Sequence, residues 1–114
     1  MKIETYRFGS IRIDGTTYTN DLKIISSLVV PDWWRKTGHR VDADELSDII
    51  EVGPAILVLG TGEPGNLRPA PGLSGELEKK GISLIAEPTA RAVETFNRLH
   101  AQQQNVAAGF HLTC

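Results

Sequence analysis

The sequence predicts a single α/β domain over residues 1–114, built on a mixed, mostly parallel central sheet with an N-terminal β-hairpin. Three observations carry this. After residue 40 the helix and strand signals alternate α-β-α-β-α-β, the order in which right-handed crossovers lay parallel strands side by side. Ala55 to Leu59 is an unbroken apolar run, as a strand covered on both faces requires. Ile11 and Ile13 alternate with Arg12 and run into Asp14-Gly15, before Thr16 to Thr19 returns. An Asp-Gly pair accepts the positive φ angles of a tight hairpin turn.

The elements follow in order. Leu22–Ile25 and Leu28–Val30 read as extended, and Pro31 stops them because it cannot donate to a ladder. The stretch PDWWRKTGH, residues 31–39, reads as a loop. A helix is expected from Asp42 to about Glu51. Asp42 is its N-cap, Glu45 sits at the capping-box position, and Val41 and Leu46 form a hydrophobic staple. It would bury Leu46, Ile49 and Ile50 and end at Gly53-Pro54. After the 55–59 strand comes a long loop, GTGEPGNLRPAPG. A short helix, Ser74–Lys80, is then expected to be capped by Ser74 and stopped by Gly81. Ile82–Ala86 reads as a second buried strand. Pro88 opens the longest helix, to about Gln104, with Val93, Phe96 and Leu99 as its stripe, and Val106–Leu112 is the last strand.

Composition narrows the function classes. A chain of 114 residues holds one core and buries roughly two thirds of its unfolded surface, enough to fold without disulfides or metal. With 40% apolar and 23% charged residues it is not a disordered chain. Net charge is −2 and no basic run exceeds Lys79-Lys80, so the stripe that a nucleic-acid reader needs is missing. No apolar run approaches the length of a membrane span. The start, MKIETYRFGS, lacks an apolar core, so no secretory leader is expected. The single cysteine, Cys114, cannot form an internal disulfide, which suits a cytoplasmic protein.

Residues 60–65, GTGEPG, spell G-x-G-x-x-G directly after a strand. A dinucleotide site also needs a helix to start inside the motif, so that its free N–H groups and dipole meet the pyrophosphate. Here the next helix signal, Ser74, comes after three prolines. Gly60 and Gly65 also match the spacing of the other phosphate loop, but Asn66-Leu67 stands where its lysine and hydroxyl belong. The plainer reading is a turn in which glycines permit positive φ. Its position at the carboxyl end of a buried strand is still where open α/β sheets bind ligands.

Other chemistry is dispersed. His39, His100 and His111 show no ligand spacing, so no metal, cofactor or catalytic set is expected. The expectation is a solvent-facing His39 and two hydrogen-bonded structural histidines. His111 and Cys114, three apart in a strand, should face opposite ways. Trp33, Trp34 and Arg35 are the better signal, because adjacent tryptophans cannot easily share one core and both residue types are favoured at contact surfaces. Alternatively one indole roofs the core and the other packs on a helix. Arg68 and Arg91 offer positive charge for an anion, or are ordinary surface arginines.

Taken together and in order, VVPDWWRKTGH, ILVLGTGEP and EPTARAVETFNRLHAQQQNVAAGFHLTC resemble a small domain family. It includes the mitochondrial NADH dehydrogenase (complex I) assembly factor 3 and the adipogenesis-associated domain-containing protein of animal cytosol. The resemblance covers essentially the whole chain, which looks like one of the stand-alone prokaryotic members. It implies a three-layer fold, with helices on both faces of a mixed sheet and the hairpin added to one layer. It implies no established catalytic residue or cofactor. The shared motif positions are Trp33, Trp34, Gly60, Thr61, Gly62, Thr89, Ala90, Asn97 and His111 through Cys114.

Two functions are thus expected to compete. One is a non-catalytic binding or assembly module with a protein partner, in contact through Trp33, Trp34, Arg35 and the Gly60–Gly65 loop. The other is a binder of an anion or nucleotide-like ligand, or a modest enzyme, in which Gly60, Thr61, Gly62 and Arg68 form the site.

Overall fold

A computed structural model describes residues 1–114. Its strands are β1 Ile3–Arg7, β2 Ser10–Ile13, β3 Thr16–Tyr18, β4 Leu22–Ile25, β5 Leu28–Val30, β6 Arg40–Val41, β7 Ile56–Gly60, β8 Arg68–Pro69, β9 Ser83–Glu87 and β10 Val106–Phe110. Its helices are α1 Ser47–Val52, α2 Leu73–Lys79 and α3 Thr89–Ala101.

The central sheet has the order β5-β4-β10-β7-β9. Strands β10, β7 and β9 run parallel, and the hairpin β4–β5 is added antiparallel beside β10. Alternation along the strands divides the core into two. Leu57, Leu59 and Ala107 face Leu46, Ile49, Leu73 and Leu77 of the layer that holds α1 and α2. Val58, Val106, Ala108 and Phe110 face Ala92, Val93 and Phe96 of α3, and Ile3, Ile11 and Ile13 of an antiparallel sheet β1-β2-β3. The predicted three layers are therefore present, and so is the hairpin around Asp14 (φ 46) and Gly15 (φ 84).

Several local expectations need correction. The N-terminal hairpin gains a third strand, β1, whose register shifts between Ile3 and Thr5. That bulge breaks the period-2 pattern by which a strand is recognised. The helix expected at 42–51 enters as a 3-10 turn over Ala43–Leu46 before α1. Glu45 does reach back, its Oε1 accepting the Asp42 N–H at 2.8 Å. Gly53, at φ 72, caps the other end with its N–H on the Ile49 carbonyl. Helix α2 is capped by Gly72 at φ 83, not by Ser74, which already lies inside the helix. Strand β9 is an edge strand and half-exposed, because the sheet ends there instead of continuing. Helix α3 stops at Ala101 and β10 at Phe110, both short of their expected ends.

Candidate functional site

Strand register brings distant parts of the chain to one edge of the central sheet. In β10 and β7, Phe110 lies beside Gly60, and in β7 and β9, Gly60 lies beside Glu87. On the other side, Phe110 lies opposite Leu22 of β4. The next residues out are His111, Thr61, Pro88 and Asp21. The tryptophan loop joins the same edge, with the Trp33 N–H on the Asp21 carbonyl at 2.8 Å.

The glycine loop clasps the tail. Thr61 N–H donates to the Glu87 carbonyl, Gly62 N–H to Thr89 Oγ1, and Glu63 and Asn66 N–H to the Thr113 and Cys114 carbonyls, all at 2.8–2.9 Å. Thr89 Oγ1 in turn donates to the His111 carbonyl at 2.6 Å. These are the N–H groups that a phosphate would need, and they are spent within the chain. Glycine is required at 62 for space as well as for φ of +94. A Cβ there would lie 2.3 Å from the Thr113 carbonyl oxygen and 2.8 Å from His111 Cδ2. Thr61 is buried. Arg68 is exposed on β8, with its backbone N–H on the His39 carbonyl, and Arg91 pairs with Glu87 at 3.4 Å.

The two tryptophans part company. Trp33 is 6% exposed and lies on Gly109 of β10, where a Cβ would come within 2.9 Å of its ring. Trp34 is 86% exposed and packs on no helix. The Arg35 guanidinium lies 4.6 Å from the Trp33 ring centroid, with its side chain only 5% exposed. Arg35 Nη2 donates to Asp21 Oδ2 at 2.7 Å and to the Gly38 carbonyl at 3.2 Å. Arg35 Nε and Nη1 have no hydrogen-bond partner, and the indole face is what this cation meets instead.

Asp21 is the hub. Its Oδ1 accepts the Leu112 N–H and its Oδ2 accepts from His111 Nδ1, both at 2.8 Å. His111 Nδ1 therefore carries the hydrogen, and its 3.2 Å approach to Arg35 Nη2 brings together two donors that share one carboxylate oxygen. Burial pushes the Asp21 pKa up, but hydrogen bonds from His111, Leu112 and Arg35, with the His111 charge, hold it below its ordinary value. The other histidines are where expected. His39 is exposed, and His100 stacks on Phe96 and bonds Ser27 Oγ at 3.0 Å. Cys114 does turn toward an imidazole, but that of His39, at 3.7 Å.

Beside this network lies a pocket of about 290 Å³, lined among others by Asn20, Asp21, Asp32, Trp33, Trp34 and Arg35. Asp32 stands at φ 57 and accepts from Asn20 Nδ2 at 3.0 Å. Asn20, Asp21 and Asp32 carry no local signal. They read as turn residues, and only the pairing of β4 with β10 brings them to the site.

The model of a family described as "Protein of unknown function (DUF498/DUF598)" matches residues 3–111. This chain belongs to that family. Solved structures agree with the fold. A conserved hypothetical protein from Pyrococcus horikoshii OT3 is 28% identical, with TM-score 0.80 over 100% of each chain. A protein from Bartonella henselae described as an outer membrane protein is 26% identical, with TM-score 0.80 over 98% of this chain and 94% of that one. A Xanthomonas campestris protein, 19% identical with TM-score 0.83 over 96% and 83%, shares the fold.

Proposed function

We propose that this DUF498/DUF598 protein is a non-catalytic binding module whose contact surface is Trp34 and the pocket beside it. One observation carries the reading: an 86% exposed indole stands at the rim of a pocket, next to a tryptophan that is 6% exposed. Large exposed aromatics at a rigidly held position are what binding hot spots are made of. Rigidity comes from Trp33 and Arg35, which anchor the loop to Gly109 and Asp21. The Gly60 carbonyl accepts the His111 N–H, and the Glu63 and Asn66 N–H groups hold the tail that forms the far wall. Thr61 and Gly62 tie this loop to Glu87 and Thr89, and Arg68 lies on the flanking ribbon β6–β8. The Asp21 carboxylate is committed to three donors, so it serves to hold the tail rather than to move protons.

The resemblance to a complex I assembly factor supports an assembly-type role with a protein partner. An anion or nucleotide-like ligand at Gly60–Gly65 would have to displace the hydrogen bonds that those N–H groups already make. No helix is long and apolar enough to cross a membrane, and we place the protein in the cytoplasm, where a lone thiol stays reduced. Quantitative affinity capture tests the reading. Trp34→Ala should melt like wild type and lose its specific partner. Retention of every partner by a folded Trp34→Ala protein would refute it.

A further inference from the structure

We propose that the pocket beside Trp34 receives a basic side chain, lysine or arginine, presented by a protein partner; this rests on the reading of Trp34 as the contact surface. Charge is the first argument. The ionisable groups lining the pocket are Asp21, Asp32 and Arg35. Arg35 is neutralised by Asp21 at 2.7 Å. Its remaining nitrogens lie out of solvent, next to the Trp33 ring. The next cation in the chain, Lys36, is drawn away to Asp44 at 2.7 Å. Asp32 therefore stands as an exposed, uncompensated carboxylate, held by Asn20 at one oxygen.

The walls are the second argument. An indole face beside a carboxylate is the pairing that attracts an organic cation, through its quadrupole on one side and charge on the other. Trp33 and Leu112 supply apolar surface for the aliphatic stem of such a side chain. A volume of about 290 Å³ suits a side chain, at the lower limit of what small-molecule sites offer. An incoming anion would meet Asp32, and the unpartnered Arg35 Nε and Nη1 are buried against the Trp33 ring, out of its reach.

The rim is the third argument, and it selects a protein over a free ammonium ion. Gly9 N–H donates to the Leu112 carbonyl at 2.8 Å, so the β1–β2 turn adjoins a residue that lines the pocket. That turn carries Phe8, 62% exposed. A small cation would leave both exposed aromatics uncovered, whereas a partner that inserts one basic side chain can lie over them.

Heteronuclear NMR titration of the full chain tests this with short blocked glycine peptides carrying one central lysine, arginine, glutamate or leucine. Tetramethylammonium chloride is the ion control. The lysine and arginine peptides should shift the Trp34 indole N–H and the Asp32 and Thr113 amides saturably, less so as salt is raised. Asp32→Asn keeps a residue that tolerates positive φ and can still bond Asn20, so it should fold. It should bind about threefold more weakly, as should Trp34→Leu. If the glutamate or leucine peptide moved these signals more than the basic ones, the surface would stand and its charge preference would be overturned. Tighter binding of tetramethylammonium than of either basic peptide would replace the partner side chain by a free ammonium ion. If nothing moved the pocket signals, the inference and the Trp34 reading would both fall.

Discussion

Asp21 and His111 meet at 2.8 Å across 90 positions of sequence, because β4 pairs antiparallel with β10 and Leu22 stands opposite Phe110. The bond closes the edge of the sheet at which the tryptophan loop, the glycine loop and the tail converge. With Arg35 and the Leu112 N–H on the same carboxylate, it is the main electrostatic tie of that edge.

Removing the hub should therefore be costly. Asp21→Ala leaves Arg35 and His111 buried without their shared acceptor, and breaking a buried pair from one side costs about 3 kcal/mol or more. Urea denaturation should show this as a lower midpoint at unchanged slope.

The same carboxylate sets an acid dependence. Its pKa is lower in the folded protein than the ordinary 3.8. The stability it contributes is thus complete above the unfolded value and is lost as pH falls through the folded one. Melting temperature should drop on acidification below about pH 4. In Asp21→Asn it should start lower and fall less over that range. Parallel acid limbs in the two proteins would remove Asp21 from the account.

Glycine 62 and glycine 75 should respond in opposite directions to the same change. Gly62→Ala puts a methyl group against the Thr113 carbonyl at a positive φ and should cost at least about 2 kcal/mol. Gly75 lies in α2 with open space around it, so Gly75→Ala should stabilise by about 0.5–1 kcal/mol. Thermal melts of the two variants decide this.

The adjacent indoles should separate in the same way. Trp33→Ala empties a packed site over Gly109 and should cost about 3–5 kcal/mol. Trp34→Ala should change stability by no more than about 0.5 kcal/mol, since its side chain is in solvent. Chemical denaturation of both single variants is the check.

What could be read in the sequence was local. The run Ala55–Leu59, the Asp14-Gly15 turn and the stop at Gly53 each depend on neighbours in the chain, and each is present. The misreadings arise where tertiary context decides. Whether Ile82–Ala86 is a central or an edge strand depends on what pairs beyond it, and nothing does. The cap of α2 went to Gly72 because a left-handed residue precedes Leu73. The site was half legible. Trp33, Trp34 and the glycine loop announce themselves by composition. Asp21, Asn20 and Asp32 do not, since their meeting with residues 111–113 is created by strand register across most of the chain.

Photo-crosslinking in the cell tests the central claim most directly, with a photoreactive phenylalanine analogue placed at position 34 and, in a separate protein, at Lys79 on the exposed end of α2. A discrete crosslinked product from position 34, reduced when Asp32 is also changed to Asn and absent from position 79, is the predicted result. Equal products from both positions, or a product from 79 alone, would contradict the assignment of Trp34 and its pocket as the contact surface.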